Sequence, residues 1–323
     1  MDKEKAVERG AELVTIPSEL EGLRLDSALA KLLEQYSRAM LKHAVESGSI
    51  LLNGVSVKAR TIVHTGDQVT VEIRPRPETS AVAQPVAYDV VWSEQDFIVV
   101  NKPPGLVVHP GAGNPDQTLV NGLLAAFPEL SSLPRAGLIH RIDKDTSGLL
   151  LVARHIGSYE RLVKMMASRA ISRTYDALVH GQLATSASVN QPIGRDHRLR
   201  TRMRVTAGGR PAVTHYYVKE RYTAQTLLEV HLETGRTHQI RVHMSWLGHP
   251  LVGDPTYGQN RRKGVPRRND APNVQVANFS RQALHAARLQ FDHPRSGETV
   301  AFEAPPPNDM RELLDTLRSQ ALQ

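Results

Sequence analysis

Proline fixes its own φ and lacks a backbone N–H, so a stretch with several prolines and no apolar period fits neither a helix interior nor a central strand. Residues 74–85, RPRPETSAVAQP, form such a stretch. It reads as a connector and forces the chain to be partitioned. We expect a charged tail at 1–16, a small unit at 17–74, a linker at 75–87 and a main unit at 88–323. The full 323 residues suffice for one good-sized core and a smaller one.

The small unit begins with Leu23, Leu25, Ala28, Leu29, Leu32 and Leu33, which are helix-spaced. A second helix follows from Arg38, with Ser37 as N-cap and Gly48 as stop. Residues 50–54, ILLNG, read as strand and turn, and residues 69–73, VTVEI, alternate like a strand. Arg38 and Lys42 share a helix face, and Lys58 and Arg60 follow the turn. Charge alone fits a solvated basic face as well as a phosphate-binding one.

The main unit is rich in short strands, among them residues 96–101, 149–153, 175–179 and 226–232. Helical patches lie at 120–126 and 159–167, without regular alternation, so a doubly wound parallel sheet is not expected. The expected class is α+β, with a mixed, largely antiparallel sheet.

Residues 138–153, LIHRIDKDTSGLLLVA, set a charged cluster and a turn directly before an apolar strand. Asp143 there either caps a turn or is a carboxylate positioned at the mouth of a rigid element; the local pattern fits both. In residues 233–244, ETGRTHQIRVHM, strand parity puts Ile240, Val242 and Met244 on an apolar face and Gln239, Arg241 and His243 on a polar one. An Arg deep in a domain needs an anion, and Asp143 is the candidate. The guanidinium would hold that carboxylate in its charged form.

There are no cysteines, which excludes disulfides and thiolate ligands. Fourteen histidines invite a metal, but His238 and His243, five apart on a strand, face opposite ways, and no H-E-x-x-H spacing occurs. No metal site is expected. Asp143 and Asp145 match a glycosidase pair only in residue type, since no aromatic sugar platform is apparent. The N-terminus lacks an apolar signal core and no apolar run could span a bilayer, so a cytoplasmic protein without membrane attachment is expected. The net charge of +7 gathers locally: Arg195, Arg198, Arg200, Arg202, Arg204 and Arg210 crowd one stretch, and Arg261, Arg262, Lys263, Arg267 and Arg268 another. Three basic regions favour a polyanion such as RNA over an indifferent charged surface.

These segments together resemble the RluA family of pseudouridine synthases. Its motif His-Arg-Leu-Asp-x-x-Thr-Ser-Gly stands here at residues 140–148 with Ile142 for Leu, its Gly-Arg-x-His-Gln-Ile-Arg-x-His at 235–243, and its Asn-Lys-Pro at 101–103. The small unit resembles the S4 RNA-binding module through residues 36–38, 50–54 and 66–69. Residues 108–121 resemble the RluD-like branch, which acts on large-subunit ribosomal RNA; residues 258–280 match it less well. The resemblance implies an isomerase with a pseudouridine synthase-type catalytic unit behind an S4 unit. Asp143 would be catalytic, Arg241 its partner, Tyr175 the stacking platform for the target base, and Arg141 the side chain that fills the space left by the extruded uridine. Arg38, Lys42, Lys58, Arg60, Arg195, Arg198, Arg200 and Arg202 would bind RNA. The reaction implied needs no cofactor, and the partner would be ribosomal RNA, free or in a pre-ribosomal particle, met by a monomer. A sibling synthase for another ribosomal or transfer RNA site would keep the same residues, whereas a non-catalytic assembly factor would not require Asp143, Tyr175 and Arg241 together.

Overall fold

The computed structural model describes residues 12–33, 38–71, 81–111, 113–199, 201–258 and 274–321. The chain forms two compact units, Met1–Arg76 and Pro77–Gln323. No described helix is long and apolar enough to cross a membrane.

In the first unit, β1 (Glu12–Thr15), α1 (Leu25–Leu32), α2 (Arg38–Glu46), β2 (Ile50–Leu52) and β3 (Gln68–Val71) follow in order. The antiparallel sheet runs β1-β3-β2. Leu25, Ala28 and Leu29 bury the predicted face of α1 against Leu41 and Val45 of α2 and Val69 of β3. Gly48 has a φ of 76°, as a stop after α2 requires. The unit begins earlier than expected: β1 lies within the stretch read as a tail, where four residues are too few to show a pattern. The predicted cap Ser37 and the Arg38 side chain lie outside the described residues.

The second unit contains β4 (Asp89–Ser93), β5 (Phe97–Lys102), α3 (Leu119–Ala126), β6 (Ser147–Ala153), α4 (Ile156–Ala167), β7 (Ser172–His180), β8 (Ala187–Asn190), β9 (Ile193–Arg195) and β10 (Met203–Val205). Then come β11 (Val213–Arg221), β12 (Gln225–Leu232), α5 (Gln239–Trp246), α6 (Val274–Asn278), β13 (Leu284–Asp292), β14 (Thr299–Glu303) and α7 (Asn308–Ala321). One sheet runs β4-β5-β6-β13-β7-β12-β11-β8, with β14 also on β13, and β9 and β10 form a separate hairpin. Within that sheet β6 and β13 pair in parallel and the other described pairs are antiparallel, so it is mixed and largely antiparallel as expected.

Both faces of the sheet are covered, which explains the unbroken apolar run in β6. Leu150 and Val152 join one core with Ile98 and Val100, while Leu149 and Leu151 join the opposite core with Phe97 and Val99.

Two expectations are corrected. Residues 81–87 are not free linker: the Asn121 amide donates to the Val82 carbonyl at 2.8 Å, and the Gln84 N–H donates to the Asn121 carbonyl at 3.1 Å. The prolines stop regular structure without preventing an extended segment from docking. Residues 239–246 are α5, not a strand. Gln239 to Ser245 are all buried, so polar–apolar alternation carries no period here. The polar members are buried because each has a partner: Gln239 and His243 both meet the Thr214 hydroxyl, at 2.9 and 2.8 Å.

Candidate active site

Asp143 sits on the loop at 138–146 that folds back beside β6. The Ile139 N–H donates to the Leu151 carbonyl at 3.1 Å, and the Leu151 N–H donates to His140 Nε2 at 3.3 Å. That ring nitrogen is therefore an acceptor. Burial, reinforced by the Arg173 charge, pulls the His140 pKa down to about 3. The Thr146 N–H closes a turn on the Asp143 carbonyl at 3.1 Å.

Lys102, fully buried at the end of β5, pins this loop from below. Its Nζ donates to the carbonyls of Pro103, Leu106 and Lys144 at 2.7, 2.8 and 2.8 Å. Burial draws its pKa down to about 7 against the Asp145 carboxylate. Three carbonyls match the three N–H groups of an ammonium. From the far end of the chain, Gln282 donates to the Thr146 hydroxyl at 3.1 Å, and Ser147 Oγ lies 2.9 Å from His285 Nδ1. At Gly148, φ is +115° and a Cβ would stand 2.3 Å from the Ala286 carbonyl oxygen. Only glycine lets β6 meet β13 there.

Arg241 of α5 reaches Asp143 from the other side, its Nη1 3.0 Å from Oδ2. Its Nε and Nη2 meet both oxygens of Asp254, at 2.7 and 3.0 Å. The Asp254 side chain has 0% exposure and also accepts the N–H groups of Thr256 and Tyr257. Burial opposes the Arg241 charge, but the bonds to Asp254 and the two carboxylate charges outweigh it and raise its pKa above the usual range. The guanidinium lies 5.1 Å from the centre of the Tyr257 ring. The Tyr257 hydroxyl is 2.9 Å from His238 Nδ1, and His238 Nε2 is 3.9 Å from Asp143 Oδ1. Burial lowers the His238 pKa, against the pull of Asp143.

Asp143, Arg141, Tyr175 and Arg241 line one cleft of about 510 Å³. Tyr175, on β7, is buried, and burial raises its pKa. Arg141, on the same cleft, is exposed. Arg135, Arg173 and Arg236 line the same cleft, so its walls favour a polyanion. The four residues expected at the catalytic centre thus meet, although the strand assumed for Arg241 is a helix.

The RNA-binding candidates lie elsewhere. Arg195, Arg198 and Arg202 belong to the hairpin β9–β10 and its connection, with the Arg202 guanidinium 5.0 Å from the Tyr257 ring centre. Lys42, Lys58 and Arg60 are exposed on the first unit, Lys42 beside Glu46 at 3.7 Å. Arg200 and residues 261–268 lie outside the described residues. Sequence reasoning missed Asp254, Tyr257 and the buried role of Lys102. The first two stand in a Gly-Asp-Pro-Thr-Tyr-Gly turn, whose composition signalled only a loop.

His238 and His243 have protein partners, His243 bonding Thr214 and the Gln191 carbonyl. Among the described residues, Glu94, Asp96 and His293 could present three ligand atoms within 4.8 Å of one another. Those atoms already pair: His293 with Glu94 at 2.7 Å, and Asp96 with His155 and Arg295, each at 2.9 Å. None of the three lines the cleft.

The sequence matches the family described as RNA pseudouridylate synthase over residues 96–246 and the S4 domain over residues 23–69. A protein of Neisseria meningitidis serogroup B named Ribosomal large subunit pseudouridine synthase D is 47% identical, over 95% of this chain and 82% of its own length. One of the same name from Pseudomonas aeruginosa is 42% identical, over 97% and 96%. The solved structure of Human RNA Pseudouridylate Synthase Domain Containing 1 matches with a TM-score of 0.53 at 26% identity, covering 72% of this chain and 95% of that one.

Proposed function

The chain belongs to the RNA pseudouridylate synthase family, and from that premise we propose that it converts uridine to pseudouridine in large-subunit (23S) ribosomal RNA, with Asp143 as its catalytic residue. The observation that carries the catalytic reading is a carboxylate bonded to Arg241 through Oδ2 alone, opening on a basic cleft that also holds Tyr175. The names of the relatives support the RNA class.

The reaction breaks the N1–C1′ bond, turns the base, and joins C5 to C1′; C5 loses a proton and N1 gains one. Asp143 serves it by adding to C1′ or by taking the C2′ proton, and either route needs a carboxylate oxygen facing the sugar. The target must leave its stack, which costs a few kcal/mol. Tyr175 restores stacking on the extruded base, and the exposed Arg141 fills the vacated space. The S4 unit supplies phosphate contacts through Arg38, Lys42, Lys58 and Arg60, and the hairpin supplies others through Arg195, Arg198, Arg200 and Arg202. These give affinity more than sequence choice.

Asp143→Asn keeps the shape and removes the charge. Pseudouridine formation should vanish while RNA binding persists, and turnover by the purified variant would refute the assignment. Mapping pseudouridines in ribosomal and transfer RNA from cells with and without the protein tests the substrate: sites lost only from transfer RNA would favour the sibling reading.

A further inference from the structure

The end of α5 and the hairpin β9–β10 wall a second cavity of about 510 Å³, which the isomerisation itself leaves unused. Trp246, the last residue of α5, lines it and is 49% exposed. Arg202 and Arg204 line it from the hairpin, and neither guanidinium makes a hydrogen bond among the described residues. Asp196 completes the wall. Its N–H donates to the Arg202 carbonyl at 2.9 Å, which fixes the two residues side by side. Its Oδ1 accepts the N–H groups of Arg198 and Leu199 at 2.8 and 3.4 Å, while Oδ2 accepts none among the described residues. The Arg198 N–H lowers the Asp196 pKa, so the open oxygen is a charged acceptor at neutral pH.

This donor set selects a ligand. The carboxylate would repel a phosphate, whereas an indole offers a stacking face to any base. Guanine is the one RNA base with two adjacent N–H donors, N1 and N2, and two adjacent acceptors, O6 and N7. It can satisfy a carboxylate and an arginine at once. The cavity also adjoins the site of chemistry. Thr256 lines both it and a cavity of about 330 Å³ that reaches Asp143. Tyr257 lines it too, with the Arg202 and Arg241 guanidinium groups 5.0 and 5.1 Å from its ring centre.

We propose that this cavity binds one unstacked guanine close to the target uridine: Trp246 stacks on the base, Asp196 accepts its N–H groups, and Arg202 and Arg204 donate to O6 and N7. Arg202, with five N–H groups, can serve a phosphate as well. The inference rests on the reading of RNA as the substrate and adds a base-reading contact to it.

The test uses the full chain and four end-labelled RNA pentamers, UUGUU, UUAUU, UUCUU and UUUUU, with affinity read by fluorescence anisotropy. UUGUU should bind about 10-fold more tightly than the other three, the scale of one good bidentate base contact. Asp196→Asn can keep its carbonyl on the Arg198 N–H while turning an NH₂ toward the guanine donors, so the preference should shrink to within about threefold. Trp246→Ala should weaken UUGUU by about 10-fold. Trp92→Phe leaves Trp246 as the one indole, and unlabelled UUGUU should quench it. Four outcomes overturn the proposal: no pentamer binds; UUGUU binds within about threefold of the others; a folded Asp196→Asn keeps the full preference; or saturating UUGUU leaves Trp246 fluorescence unchanged. The pentamer comparison and the quenching decide the matter even if the Asn variant does not fold. Pseudouridine formation in a ribosomal RNA fragment is measured alongside with the parent chain. If the fragment is modified but the pentamers bind alike, only the guanine site fails; if it is not modified, the proposed function fails.

Discussion

Arg241→Met tests whether the ion network supports the fold as well as the chemistry. Removing the guanidinium leaves two carboxylates without it, and they are not equivalent. The Asp143 side chain is 16% exposed and can regain water, so its loss of one bond costs little. Asp254 has 0% exposure and, among the described residues, keeps the N–H groups of Thr256 and Tyr257. Breaking a buried pair from one side costs about 3–5 kcal/mol, because the remaining charge is stranded. For a unit of this size each kcal/mol moves the melting temperature by about 2–4 °C, which gives a fall of roughly 6–20 °C. Calorimetry of the full chain at pH 7, following the transition of the larger unit, measures it. Arg241→Met with Asp254→Leu should restore much of the loss, since no charge is then left buried. A fall below about 2 °C for the single variant, or no recovery in the double, would refute the argument.

His140 makes stability pH-dependent. Its folded pKa of about 3 lies below the ordinary value of 6.5, so the unfolded chain binds the extra proton between those values. Stability should be complete above pH 6.5 and fall as the pH drops, by about 2 kcal/mol at pH 5; the pH slope of the melting temperature should be visibly flatter in His140→Gln. Gly148→Ala should prevent normal packing of β6 on β13, read as loss of the cooperative transition of the larger unit; an unchanged transition would mean the contact at 2.3 Å yields cheaply. Deleting residues 1–76 should weaken RNA binding, most visibly at high salt, and make the log–log salt slope shallower by roughly one unit per lost phosphate contact. The saturating rate of the truncated protein should change far less, and its collapse in a well-folded truncation would mean that the first unit helps to build the active site.

The pairing of Asp143 with Arg241 was legible because an arginine among Ile240, Val242 and Met244 needs an anion whatever the local conformation. The conformation itself was not legible. Alternation reports a strand only when one face is wet, and α5 is buried nearly all round. The apolar run of β6 read correctly as a strand, since five apolar residues after a turn need burial on both faces. Asp254 and Lys102 escaped for a shared reason. A single Asp beside Gly and Pro has the composition of a turn, and a Lys is by default placed at the surface. What makes each of them structural is a partner distant in sequence, as Lys102 has in the Lys144 carbonyl.

The parallel pairing of β6 with β13 also sets when a growing chain can become an enzyme. The loop that carries Asp143 is tied to Arg281 and Gln282, each across 136 residues of sequence, and Ser147 at the head of β6 is tied to His285 across 138. Contacts of such long range form late and slowly. A nascent chain halted before residue 281 already contains Asp143, Tyr175, Arg241 and Asp254, together with the S4 unit for which the phosphate contacts are proposed. It lacks the ties from Arg281, Gln282 and His285 that act with Lys102 and Arg241 on the loop. With the first unit holding RNA as proposed, synthesis would separate holding RNA from altering it, and an incomplete chain would occupy a site without marking it.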